Sequence, residues 1–137
     1  MNHYFYSLAK RSADIAGYPI QPLWIYAQWL HETAGFTSDL CVSARNLGGL
    51  TQTSPNSLPQ PDGSNYYMVF SSYEEFAEYF GRYLRLYSED GLYSVINIFG
   101  YVQALKNGGY FGDTVDNYYE GMVNQLVAQI SDETPLL

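Results

Sequence analysis

Apolar and polar positions follow a helical period over most of the chain, and the period lapses once. Between residues 3 and 16 the apolar positions Tyr4, Leu8 and Ile15 recur at helical spacing. The segment "GYPIQP" ends that run, and Pro22 stands where the first turn of a new helix accepts a proline. "LWIYAQWLHET", Leu23 to Thr33, reads as one helix with Gly35 as its C-terminal stop. From 43 to 70 the period is lost: Gly48, Gly49, Pro55, Pro59, Pro61 and Gly63 are spread among Asn and Ser. Within that stretch "DGSNYYMVF" joins an Asp-Gly turn signal to a β-prone run, which predicts a short hairpin.

The helical period returns at "SSYEEFAEYFGRYLRLYS". Ser72 and Glu75 have the spacing of a capping box, and Phe76, Tyr79, Phe80, Tyr83, Leu84 and Tyr87 form an i, i+3, i+4 stripe. Residues 92–106 read as helix, weakened by β-branched and glycine residues; "NGGYFGD" reads as a turn. Residues 115–130 read as a closing amphipathic helix with Val123, Leu126, Val127 and Ile130 inward, and with Asp113 and Asp116 capping its start. No repeat and no linker divides the pattern. The expected fold is mainly α (α+β), one domain over residues 1–137, with a loop-and-hairpin insertion. An irregular insertion of this length inside a compact domain usually serves function, and it directly follows "HETAGFTS".

Charge removes several classes of function. The net charge is −8, the isoelectric point about 4.4, and the six basic residues are scattered. A nucleic-acid partner needs a basic patch, and an anionic membrane surface would repel this chain. No run of 18 apolar residues is present to span a bilayer, and "MNHYFYSLAKRSAD" lacks the pattern of a signal peptide. Cys41 stands alone and reads as a small, partly buried residue. Aromatics reach 18%, and 15 of them are tyrosines, which serve either as a core edge or as flat faces suited to sugar rings.

The densest chemistry lies in "QWLHETAGFTSDL", residues 28–40. His31-Glu32 is half of a zinc-protease motif, but that motif needs a second histidine one turn later, where Gly35 stands; no metal and no cofactor is expected. Glu32 lies near the negative end of a helix rich in apolar residues. The dipole and desolvation both disfavour its charged form and raise its pKa, and a carboxylic acid still protonated near neutral pH suits protonation of a glycosidic oxygen. The plainer reading is a solvated glutamate at a helix end.

"AQWLHETAGFTSDL" resembles the motif of the glucosaminidase family of peptidoglycan hydrolases, which includes bacterial autolysins, flagellar muramidase-like domains and phage lysin modules. Ala27, Gln28, Glu32, Thr33, Phe36 and Ser38 match it. "RNLGGLT" matches the family's Asn-aromatic-Gly segment at Asn46, Leu47 and Gly49, with Gly48 where an aromatic is usual. "VFSSYEEF" and "GGYFGDTVDNYYEGM" resemble two later segments, in the right order.

The resemblance implies a lysozyme-like helical domain whose insertion lines a cleft. It implies an endo-β-N-acetylglucosaminidase acting on β-1,4 bonds of peptidoglycan strands, with Glu32 as general acid. A tyrosine of the last helix, Tyr118 or Tyr119 and most simply Tyr118, would line the cleft. Asn46 and Gly49 would shape its floor, and Tyr110 matches the family's Gly-Tyr. Tyr66, Tyr67 and Trp29 are candidates for sugar stacking, although core packing is the plainer reading of Trp29. Asp62 is either the base that activates water or the first residue of an Asp-Gly turn. Two alternatives stay open: a glycan-binding module without turnover, and a lytic transglycosylase. The expected location is a cell wall, extracellular or phage-associated, although a charge of −8 opposes approach to anionic wall polymers.

Overall fold

The computed structural model describes residues 1–52, 58–59 and 66–133, with 58–59 and 131–133 as backbone alone. Among the described residues the helices are α1 His3–Ala16, α2 Pro22–Glu32, α3 Asp39–Val42, α4 Tyr73–Leu84, α5 Ile98–Asn107 and α6 Val115–Glu133. Three two-residue strands, β1 Thr51–Gln52, β2 Leu58–Pro59 and β3 Tyr66–Tyr67, pair antiparallel in the order β1-β3-β2. The fold is mainly helical with a small antiparallel sheet in the insertion.

Helix α2 is the centre. Six consecutive residues, Ile25 to Leu30, are buried, so it is covered around its circumference by its neighbours, α1 and α6 among them. Apolar residues on every side of a helix require this position. Burial of Ile25, Tyr26, Trp29 and Leu30 contributes about 1.5–3 kcal/mol for each side chain relative to exposure. Two tyrosine contacts tie the neighbours down: the Asn2 amide donates to the Tyr26 hydroxyl (2.8 Å), which donates to Gln129 of α6 (2.6 Å).

Helix α1 buries Phe5, Leu8, Ala9, Ser12, Ala13 and Ala16 rather than the face marked by Tyr4 and Ile15. Tyr4 is 46% exposed, and its hydroxyl donates to Glu74. The small residues face α4 because the helices approach closely there. A Cβ at Gly81 would lie 2.8 Å from the Ser12 carbonyl oxygen, and the Ser12 hydroxyl donates to the Ala77 carbonyl (2.7 Å).

Helix α4 starts as its sequence predicts, with the Ser72 hydroxyl accepting from the Glu75 amide (3.0 Å). The Glu75 carboxylate takes the Ser71 hydroxyl. The continuous helix expected over 92–106 is not formed. A 3-10 turn covers Leu92–Ser94, Val95 is extended, and α5 begins at Ile98, where the Asn97 side chain accepts from the Gly100 amide (2.8 Å). β-Branched Val95 and Ile96 favour extended backbone, and Asn97 is a strong N-cap.

In α6 the inward residues are Tyr118 and Met122, whereas Val127 and Ile130, expected inside, are 54% and 51% exposed. Thr114 caps this helix, accepting from the Asn117 amide (3.1 Å), and Asp113 accepts from the Thr114 amide (2.7 Å). Cys41 is buried. No described helix is long and apolar enough to cross a membrane.

Candidate functional site

Glu32 is the last residue of α2, and the chain turns sharply after it. The Thr33 amide and hydroxyl both donate to the Trp29 carbonyl (3.1 and 2.7 Å), and the Gly35 amide takes the Leu30 carbonyl (2.9 Å). The Thr33 hydroxyl also accepts from the Phe36 amide (2.9 Å). Ala34, Gly35 and Phe36 all have positive φ, at 51°, 74° and 68°. For Ala34 and Phe36 this left-handed backbone costs about 1 kcal/mol or more each. Phe36 offsets this by packing on Phe5 and Tyr26 at centroid distances of 4.6 and 5.4 Å.

Glu32 is half-buried, and desolvation of its carboxyl group pushes its pKa up from 4.5 to about 7. The opposing influence is the Tyr118 hydroxyl, which donates to Oε1 at 2.7 Å and favours the charged form. Desolvation wins, so near neutral pH the acid and the carboxylate are both populated. The other oxygen, Oε2, lies over Gly49. That glycine has φ +67°, and a Cβ on it would lie 2.5 Å from Oε2. Glycine is required there both for the backbone angle and for the approach of the carboxyl group.

Tyr118 is held rigidly. It is 2% exposed, with Phe111 stacked on its face (4.0 Å, 10°) and His31 against its edge (4.5 Å, 75°). A Cβ on Gly121, inside α6, would fall on the His31 ring, so that glycine makes room for it. Burial lowers the His31 pKa, partly countered by the charge of Asp113. Burial and the neighbouring Glu32 raise the Tyr118 pKa well above its usual value, so the hydroxyl remains a donor. Of the two adjacent tyrosines at the start of α6, Tyr118 meets Glu32, whereas Tyr119 packs edge-on against Phe99 (5.4 Å).

The remaining predicted residues divide. Asn46 is fully buried and its amide is used up: Nδ2 donates to the Leu50 and Met68 carbonyls (2.8 and 3.0 Å), and Oδ1 accepts from the Gly48 and Leu50 amides (3.3 and 3.1 Å). Asn46 therefore builds the loop that places Gly49 and anchors the chain after β3, and it has no group left for substrate. Tyr110 is similarly committed, its hydroxyl donating to the Gly48 carbonyl and its ring packing on Tyr83 and Tyr87. That contact explains Gly48: a Cβ there would lie 2.7 Å from the Phe80 ring and 3.0 Å from the Tyr110 hydroxyl, leaving no space for an aromatic side chain.

Trp29 is fully buried between Phe76 and Phe80 (5.2 and 5.4 Å) and stacks on no sugar. Tyr66 and Tyr67 form the central strand β3, both half-buried. Asp62 lies outside the described residues.

Four residues that pack around Tyr118 or its neighbours Gln28 and His31 were not singled out from the sequence in that role: His31, Phe111, Tyr101 and Gly121. Gly121 carried the one usable signal, since a glycine inside a helical pattern costs about 1 kcal/mol against alanine and implies a close approach. Gln28, noted only as a motif position, is buried and accepts the Tyr101 hydroxyl through Oε1. A surface cavity of about 350 Å³ lies elsewhere, lined by residues including Asp90, Ser94, Asn97, Phe99 and Gln103, and Glu32 is not part of it. Among the described residues no group of three or more His, Cys, Asp and Glu is placed to hold a metal ion. Comparison with protein families, with characterised proteins and with solved structures finds no match.

Proposed function

We propose that this domain hydrolyses β-1,4 glycosidic bonds in peptidoglycan strands, as an endo-β-N-acetylglucosaminidase on a lysozyme-like framework, with Glu32 as general acid. The observation that supports it is a single carboxyl group held near pKa 7 by burial, at a helix end, with one oxygen bound by a rigid tyrosine. General-acid catalysis is most effective when the acid's pKa lies near the working pH.

Burial and the Tyr118 hydroxyl set the pKa of Glu32, and no second carboxylate of the described residues enters. A mechanism with one protein acid suits this site. Glu32 gives its proton to the leaving oxygen while the acetamido carbonyl oxygen of the substrate closes on C1 to form an oxazolinium. The Glu32 carboxylate then takes a proton from water, whose oxygen attacks C1 and reopens the ring. The same single acid also serves a lytic transglycosylase, in which an intramolecular hydroxyl replaces water.

The test is incubation of purified peptidoglycan with the wild type and with Glu32→Gln, followed by mass spectrometry of the new ends. Reducing N-acetylglucosamine ends from the wild type alone support the proposal. Anhydro-muramic ends would assign the transglycosylase, and binding without release would assign a glycan-binding module.

A further inference from the structure

Gln28 is fully buried, and its Nε2 has no hydrogen-bond partner among the described residues. A buried amide nitrogen left this way is destabilising unless it serves a purpose. Its surroundings define that purpose. Oε1 already accepts from the Tyr101 hydroxyl, on α5. Gln28 stands one turn before Glu32 on α2, so the two side chains share the face that Tyr118 meets, and the Gln28 amide lowers the Tyr118 pKa without reaching hydrogen-bond geometry. The Tyr118 hydrogen is already given to Glu32 Oε1 at 2.7 Å. A hydroxyl that has donated its one hydrogen can only accept from a further neighbour. Only the amide nitrogen of Gln28, not its oxygen, suits that place.

We propose that Gln28 and Tyr101 are positioning residues for Glu32, forming a one-way donor chain from Tyr101 through Gln28 and Tyr118 to Glu32 Oε1. The chain keeps Oε1 an acceptor in both charge states of Glu32. When Glu32 is protonated, its proton therefore sits on Oε2, the oxygen over Gly49. On the general-acid reading, on which this last step rests, the leaving oxygen of the glycan approaches from the Gly49 side and receives the proton from Oε2, leaving the carboxylate bound to Tyr118. Besides Tyr118, the titratable groups that bear on this cluster are Tyr110, whose charge couples to Glu32, and His31, against the ring of Tyr118.

The test reads Glu32 directly, without glycan, by following its ¹³Cδ signal against pH in uniformly labelled protein. Wild type, Gln28→Leu, Tyr118→Phe and the double variant form a cycle. Tyr118→Phe removes a donor to the carboxylate and raises the Glu32 midpoint by about one pH unit. Gln28→Leu weakens that donor and raises it by roughly half a pH unit. In the Tyr118→Phe background, Gln28→Leu has no further effect, because the chain is already cut. Tyr101→Phe behaves like Gln28→Leu but more weakly, and carries the test if Gln28→Leu does not fold. An equal change in both backgrounds, or none in the presence of Tyr118, overturns the chain. Glycan release is scored separately: loss of the hydrolase reading leaves the cycle intact, and a flat cycle with active enzyme removes only the donor chain.

Discussion

Replacing Glu32 by glutamine tests the buried acid through stability rather than through catalysis. Burial raises the folded-state pKa from 4.5 to about 7. The unfolded chain therefore releases this proton first as pH rises. Stability associated with Glu32 is fully present below about pH 4.5, declines between 4.5 and about 7, and is level above that. At about 1.4 kcal/mol per pH unit, the interval corresponds to about 3 kcal/mol, a large share of the stability of a domain this size.

Glutamine keeps the shape and an oxygen for the Tyr118 hydroxyl, so Glu32→Gln has no such decline. Urea unfolding of both proteins from pH 5 to 8.5, above the isoelectric point of about 4.4, isolates the difference because every other group is shared. Glu32→Gln is expected to gain on the wild type by about 2.5 kcal/mol across that range, with most of the gain below pH 7.5. A difference that stays constant with pH would refute the claim that the carboxyl group is desolvated, and with it the physical basis for the proposed role of Glu32 as an acid.

Two further substitutions probe the frame around it. Gly49→Ala places a Cβ 2.5 Å from Oε2 on a backbone of φ +67°; stability should fall by about 1–3 kcal/mol and kcat/KM for glycan release by roughly 100-fold, since the carboxyl group must move away from Tyr118. Retained activity would show that Oε2 does not face the substrate. Asn46→Ala removes four hydrogen bonds and leaves the Gly48 and Leu50 amides and the Met68 carbonyl without them, while the Leu50 carbonyl keeps the Met68 amide; it should lower the urea-unfolding stability by about 3 kcal/mol. A loss below about 1 kcal/mol would mean that the loop holds its shape without Asn46.

Helices α2 and α4 were legible because their starts stand in the sequence, as Pro22 in the first turn of α2 and Ser72 as the N-cap of α4. Periodicity missed the small residues that α1 buries and put Val127 and Ile130 of α6 inside. It weighs every apolar side chain alike, and cannot register that Ala9, Ser12 and Ala13 are buried because Gly81 lets α4 come close. Nor can it register that α6 meets α2 through Tyr118 and Met122 while Val127 and Ile130 remain outside.

The site divides in the same way. The sequence by itself placed Glu32 near the end of an apolar helix, which left a raised pKa and a solvated glutamate both open; burial in the tertiary structure decided for the raised pKa. The sequence also determined that Gly48 and Gly49 leave no side chain beside the loop. Only the tertiary structure decided which oxygen meets Tyr118 and which lies over Gly49, that Trp29 and Asn46 belong to the framework, and that Gln28 is buried with its amide nitrogen unused among the described residues. Those contacts join residues up to 86 positions apart. Their geometry depends on how whole helices pack, and no local pattern along the chain carries that information.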